Sequence, residues 1–384
     1  MRYPVHTGDQ RARANHKFSK SRGDPIITYY DLGPGKRLNE IVMAGSHDAG
    51  VTFGKDNTQT QDLDILGQAT AGVRLFDIRI TGAVVKEGGA SKVTALKAYH
   101  GVGPTAKKSG VDLRSGEADK VKVKSMWGGA YGMTLSKILG DASKFVSENG
   151  TEFLILKFDK CHNWLQIAEA CIAVLGNTLY KEGGNLNNKT LRDLQGKVIV
   201  LFSSSGAQAV HHLYGIPQGI LTFKNLYGDS GSSTYDENYH GLQYFGKGGT
   251  SVLKPWDKLK QNFKKQSKIM QKGGDGTPAV MGMMYWTTTG INESIRTRNE
   301  GMWTAPNVAR FKNLWESGLN AAIMSRVNAY AKIDGFAGGQ TLKAFMPNFV
   351  MIDFADKEKC KHIFELNTIP VTFFVNALGD YAHT

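Results

Sequence analysis

Polar residues that can exchange protons recur where apolar runs of this sequence end. His47 and Asp48 follow the run beginning Ile41-Val-Met-Ala, Asp77 and Arg79 close the run from Val73 to Ile80, and His100 closes Leu96-Lys-Ala-Tyr. Asp159 follows Phe153 to Phe158, and Asp353 follows Phe349-Val-Met-Ile. One histidine or carboxylate after one strand means little. The same pattern on several strands of a barrel means more, because the carboxyl end of a parallel barrel is where catalytic groups assemble. Brought to one pocket, one imidazole can accept a proton while the other donates one. Carboxylates can fix the ring tautomers, and a guanidinium can neutralise charge developing on a phosphoryl group. Cleavage of a phosphodiester needs this set.

These residues must be positioned by regular elements. Further strands are expected at Val198-Ile-Val-Leu-Phe and from Ala279 to Trp286. Several of the runs are almost continuously apolar, as parallel strands covered on both faces are. Helices are expected at about 134–148, 163–180, 255–271, 306–331 and 356–367, the first with Thr134 as its N-cap. Such alternation argues for a parallel α/β fold. A length of 384 residues admits one large barrel with insertions or two smaller domains. Segments 103–132 and 227–251 are rich in glycine and aromatic residues and read as long loops, a class that is often functional.

Composition narrows the partners. The net charge of +13, from 47 basic and 34 acidic residues, favours anionic partners: nucleic acid, an anionic membrane surface or phosphorylated substrates. Beyond that charge nothing supports a nucleic-acid binder. Segment 254–272 sets seven lysines beside Trp256, Leu259, Phe263 and Met270; it reads as an ordinary barrel helix, and the loop aromatics as better candidates for entering lipid. No apolar run reaches the roughly 18–20 residues needed to cross a bilayer. The polar N-terminus carries no secretory leader in this chain, so export by another route or after leader removal is the expectation, with a cytoplasmic location as the alternative. Cys161, Cys171 and Cys360 form neither a disulfide framework nor a zinc spacing. His211-His212 read as surface residues, and Cys161-His162 as structural.

The same residues carry a family resemblance. Gly45-Ser-His-Asp-Ala-Gly50, Gly72-Val-Arg-Leu-Phe-Asp-Ile-Arg79 and Tyr99-His-Gly101 resemble successive signatures of the catalytic X domain of phosphatidylinositol-specific phospholipase C. Phe145 to Phe158 resembles the next helix and strand, Gly196-Lys-Val-Ile-Val-Leu-Phe the fifth strand, and Asn348 to Phe354 the closing strand. The region 205–345 matches only in element order. The resemblance implies a distorted (β/α)8 barrel over 37–384 behind an N-terminal extension at 1–36. It implies a monomer that works at a phospholipid membrane surface on a phosphodiester lipid, phosphatidylinositol first, and does not bind nucleic acid.

Residue by residue, the resemblance makes His47 the general base, taking the proton of an inositol hydroxyl as it attacks phosphorus, with Asp353 holding its ring. His100 becomes the general acid that protonates the departing diacylglycerol oxygen, with Asp48 as its partner. Arg79 binds the phosphate, and Asp77 helps to orient Arg79 and the attacking hydroxyl. The first product is a cyclic inositol phosphate. Arg79 stands where calcium-dependent relatives carry a carboxylate, so no metal is expected; Asp159, placed among the substrate-binding residues, keeps calcium as the alternative. Asp159 also stands where the metal-independent branch has a lysine, and Ser203-Ser-Ser205 where it has an inositol-binding arginine. The alternatives are a glycerophosphodiester phosphodiesterase-like hydrolase and a catalytically dead membrane-binding barrel.

Overall fold

The computed structural model describes residues 26–54, 58–87, 90–100, 130–227, 234–246, 280–289, 294–309 and 347–368, with 248, 250–251, 261–262, 264–266 and 311–312 between them. In chain order the strands are β1 (Met43–Ser46), β2 (Val73–Ile78), β3 (Ile80–Glu87), β4 (Ala90–His100), β5 (Ala130–Thr134), β6 (Leu154–Phe158) and β7 (Val198–Phe202). They continue as β8 (Ile220–Asn225), β9 (Gly241–Gly246), β10 (Thr250–Ser251), β11 (Met281–Trp286), β12 (Thr288–Thr289) and β13 (Pro347–Ile352). The helices used below are α1 (Ile65–Ala71), α2 (Leu135–Glu148), α3 (Trp164–Leu175), α4 (Leu191–Leu194), α5 (Ser204–Val210), α6 (Ile295–Met302) and α7 (Lys357–Glu365).

Eight strands close into a barrel in the order β1-β13-β11-β9-β8-β7-β6-β2, every neighbour parallel. The apolar runs explain it. Side chains alternate across a strand, so a strand apolar at every position has two faces to bury. Leu75, Ile155, Ile199, Leu201, Leu221, Leu242, Met281, Met283, Phe349 and Met351 fill the interior as one buried cluster. The intervening Ala44, Val73, Phe76, Leu154, Leu156, Val198, Val200, Val350 and Ile352 pack outward against the helices in a second cluster. Helix α2 shows how that shell is built: Thr134 caps its first turn by accepting from the Lys137 N–H at 3.3 Å. Ile138, Leu139, Ala142, Phe145 and Val146 then form its buried face.

The structure corrects the strand count. β4, read as the third barrel strand, belongs instead to an antiparallel sheet in the order β3-β4-β5 outside the barrel. β7 is therefore the fourth barrel strand, and the fifth is β8. β9 lies inside the segment 227–251 read as a loop, because Gly241-Leu-Gln-Tyr-Phe-Gly is too short and mixed to stand out as an apolar run. Of the N-terminal extension expected at 1–36, residues 26–36 are part of the barrel body: Tyr29 is fully buried, and its hydroxyl accepts from the Ala44 N–H at 3.1 Å. Segment 103–129, the part of the expected helix 306–331 beyond residue 312 and most of 252–279 lie outside the described residues. Among those described, no helix is long and apolar enough to cross a membrane.

Candidate active site

β1 ends at Ser46 and the chain turns over the barrel rim at His47 and Asp48. Asp48 takes φ +43°, a left-handed conformation that a short carboxylate side chain tolerates better than most. The carboxyl end of β13 lies alongside, in register through Ser46↔Ile352, so Asp353 faces His47. Its Oδ1 lies 2.9 Å from His47 Nδ1. The Tyr285 ring meets His47 edge-on at 6.0 Å between centroids.

His100 arrives by another route. β2 runs almost directly into β3, and the antiparallel return leg β4 comes back past the end of β2, where the Tyr99 N–H donates to the Arg79 carbonyl at 3.1 Å. Close approach of this sheet to the turn after β1 depends on two glycines. A Cβ on Gly132 would lie 2.0 Å from the Gly50 carbonyl oxygen, and one on Gly50 would lie 2.5 Å from the Ala98 Cβ. With both absent, the Met133 N–H reaches the Gly50 carbonyl at 2.8 Å. His100 then sets its Nδ1 2.6 Å from Asp48 Oδ2.

Asp48 is the hub of the site. Its side chain is fully buried; Oδ1 is 2.9 Å from Arg79 Nε, and Oδ2 is 3.7 Å from His47 Nε2 in addition to its bond with His100. The Arg79 contact is an ion pair whose N–H is not aligned for a hydrogen bond. Burial by itself would raise the Asp48 pKa, but Arg79, His47 and His100 overcome it and hold the carboxyl far below the ordinary range. Burial likewise opposes a charged His47, yet the carboxylates of Asp48 and Asp353 prevail and push it up to about 9. Asp48 also holds the Arg79 guanidinium firmly charged.

Below the rim, Asp77 meets Lys157, whose Nζ is 2.8 Å from Asp77 Oδ1 and 3.8 Å from Asp159 Oδ2. The ammonium also lies 4.4 Å from the centre of the Phe223 ring. Burial disfavours its charge, but Asp77 outweighs burial and raises the Lys157 pKa well above the ordinary lysine value. Phe223, Tyr244 and Tyr285 belong to the same interior cluster. Burial drives the Tyr244 phenol up to about 12 and the Tyr285 phenol well above its usual value, so both stay neutral donors.

The structure thus brings His47, Asp48, Arg79, His100 and Asp353 into one constellation, with Asp77 and Asp159 on Lys157 beside it. Arg79 is paired by Asp48, not by Asp77 as expected. His100 comes from the added sheet, not from a barrel strand. Lys157 was overlooked in the sequence, although Ile155, Lys157 and Asp159 share one face by period two, and a lysine inside a buried strand is itself unusual. Lys157 lies two residues before Asp159 on that face, with its Nζ 3.8 Å from the Asp159 carboxylate. The three cysteines are buried and free, and His211 and His212 are exposed. Ligand atoms of His47, Asp48 and Asp77 lie within 4.8 Å of one another, near enough to share a cation. Both carboxylates already face one, Arg79 on Asp48 and Lys157 on Asp77, so a divalent ion would have to displace a fixed positive charge.

Fold and site together define a parallel eight-stranded barrel that carries two histidine–carboxylate pairs and an arginine at its carboxyl mouth. No family model matches the chain. Two curated relatives, the 1-phosphatidylinositol phosphodiesterases of Staphylococcus aureus strains Newman and NCTC 8325 / PS 47, are 28% identical over 222 residues, 53% of this chain and 58% and 55% of theirs. The match spans little more than half the length of these relatives. Among solved structures, the phosphatidylinositol-specific phospholipase C of Listeria monocytogenes superposes with TM-score 0.47 at 15% identity, over 87% of this chain and 95% of that one. A variant of the Staphylococcus aureus enzyme gives TM-score 0.44 at 16% identity, over 87% and 95%. The curated relatives bear out the resemblance drawn from the motifs.

Proposed function

We propose that the protein is a phospholipase C-type phosphodiesterase that cleaves phosphatidylinositol, or a lipid with a similarly placed hydroxyl, at a membrane surface without a metal ion. The observation that carries this reading is the pair of Nδ1–carboxylate bonds, His47 on Asp353 and His100 on Asp48. Each bond leaves Nε2 as the nitrogen that exchanges protons with substrate. His47 takes the proton of the attacking hydroxyl, and His100 protonates the departing diacylglycerol oxygen. Arg79 stabilises the charge gathering on phosphorus. The products are diacylglycerol and a cyclic inositol phosphate. Asp77, Lys157 and Asp159 offer the headgroup a polar floor, with Phe223, Tyr244 and Tyr285 as its aromatic wall. The curated relatives named for the same phosphodiester support the substrate class, and the net charge of +13 suits an anionic lipid surface.

Phosphorus NMR on phosphatidylinositol vesicles, with and without chelator, tests it. A cyclic phosphate that forms equally in chelator is the expected result. Loss of turnover in chelator favours calcium at the acidic residues instead, and a ring-free phosphate as first product favours the glycerophosphodiester class. Vesicle binding without turnover leaves an inactive barrel.

A further inference from the structure

We infer that Gln61 is a positioning residue for the His47–Asp353 pair, clipping together the ends of the two strands that present these side chains. This rests on the phosphodiesterase reading above. The ladder between β1 and β13 closes with the His47 N–H on the Ile352 carbonyl at 3.0 Å. Past that bond both chains turn through left-handed residues, Asp48 at φ +43° and Phe354 at φ +48°, which takes them out of strand geometry where catalytic precision is needed.

The Gln61 side chain, wholly buried, fills the opening. Its Nε2 donates to the carbonyls of His47 at 2.9 Å and Ile352 at 3.2 Å, and its Oε1 accepts from the Ala355 N–H at 2.9 Å. The amide orientation follows from the partners, since two carbonyls need a donor and one N–H needs an acceptor. Thr60 extends the clip: its hydroxyl donates to the Asp48 carbonyl at 2.9 Å, and its own carbonyl accepts from the Phe354 N–H at 2.7 Å. Outside the clip, the Arg296 guanidinium pairs with Asp62 and lies 4.3 Å from the centre of the Phe354 ring.

A buried amide must have its hydrogen bonds met, whereas an apolar side chain of similar volume fills space with no such demand. The partners of Gln61 are the peptide groups flanking His47 and Asp353. Loosening them lets the imidazole and its carboxylate part by a fraction of an ångström, and a misplacement of about 1 Å can cost about 100-fold in rate.

Gln61→Met keeps the volume and removes the clip. The expected result is a kcat reduced by about 10- to 100-fold with KM nearly unchanged. His47, which is faced by Asp48, Asp77, Arg79, Asp353 and Tyr285 and shares the Asp48 carboxylate with His100, is expected to titrate at lower pH when followed by NMR of the imidazole. A Gln61→Met protein with normal kcat and an unmoved His47 titration, whatever its melting temperature, overturns the proposal. Should Gln61→Met not fold, Gln61→Glu decides. Its neutral acid can still donate to one carbonyl while its anion repels both, so an added loss of kcat on the alkaline side is expected, and a wild-type pH profile overturns the proposal. If the wild-type protein turns over no phosphodiester lipid, the functional reading fails while the His47 titration still tests the clip.

Discussion

Two arginines stand at opposite ends of one barrel strand and are used in opposite ways. Arg74, near the start of β2, is fully buried with every nitrogen engaged. Nε donates to Glu152 at 2.7 Å, Nη1 to the carbonyls of Ala69 and Val73 at 2.8 Å, and Nη2 to the Ile27 carbonyl at 2.7 Å. The Tyr29 and Phe145 rings flank it, with centroids at 5.1 Å and 4.9 Å from its central carbon. Arg79, beyond the end of the strand, touches a single carboxylate among the described residues, and its side chain is 19% exposed. Saturated hydrogen bonding marks a guanidinium that holds the floor of the barrel together. A guanidinium with donors to spare beside two histidines has capacity left for an anion.

This contrast can be broken in order of expected effect. His47→Ala or His100→Ala is expected to lose several orders of magnitude in kcat with the fold intact; near-normal turnover in vesicle assays would remove that histidine from the mechanism. Arg79→Ala is expected to cost about 100- to 1,000-fold in kcat, with a smaller loss of unfolding free energy than Arg74→Ala, because His47 and His100 still face the buried Asp48 carboxylate. Arg74→Ala should do the reverse. Glu152 would be left buried without its partner, at a cost of about 3–5 kcal/mol in denaturant unfolding, while the molecules that fold keep their kcat. Equal effects of the two substitutions on both measurements would dissolve the distinction.

A finer test uses pH. The folded-state pKa of His47 is raised to about 9 from an ordinary 6.5. Its contribution to stability is therefore complete below about pH 6.5 and is lost as pH rises through about 9. In the proposed role of base, His47 must shed this proton, so kcat/KM should rise over the window in which that part of the stability falls. Asp353→Asn removes a carboxylate that raises this pKa and should move the acidic limb of kcat/KM to lower pH; an unmoved limb would assign it to another group. The smallest effect is expected at the surface. Breaking the exposed Lys144–Glu148 pair, 3.8 Å apart, should change stability by no more than about 0.5 kcal/mol, which chemical denaturation can bound.

The candidate site residues were legible because the requirements on them are local. A histidine followed by aspartate at a strand end, and an arginine two residues beyond an aspartate, are recognisable without neighbours. Lys157 and Gln61 were not, for different reasons. Lys157 sits in a run whose apolar character masked its alternation, and only the facing Asp77 shows why a charge can be buried there. Gln61 looks like any polar loop residue, and its meaning depends on the His47 and Ile352 carbonyls, far apart in sequence. The strand count failed at β4 because an apolar run reports burial without saying which sheet provides it.

The sequence by itself determined that this is a parallel α/β chain with two histidines, an arginine and several carboxylates after its strands, since alternation and strand-end chemistry are properties of short segments. Only the tertiary structure decided that Asp48 would serve Arg79 and His100 together and that His100 would arrive on an added antiparallel sheet. It also decided that Lys157 would face Asp77. Those outcomes depend on distances between residues remote along the chain, and burial makes such distances decisive, because each charge removed from water must find its partner within the fold.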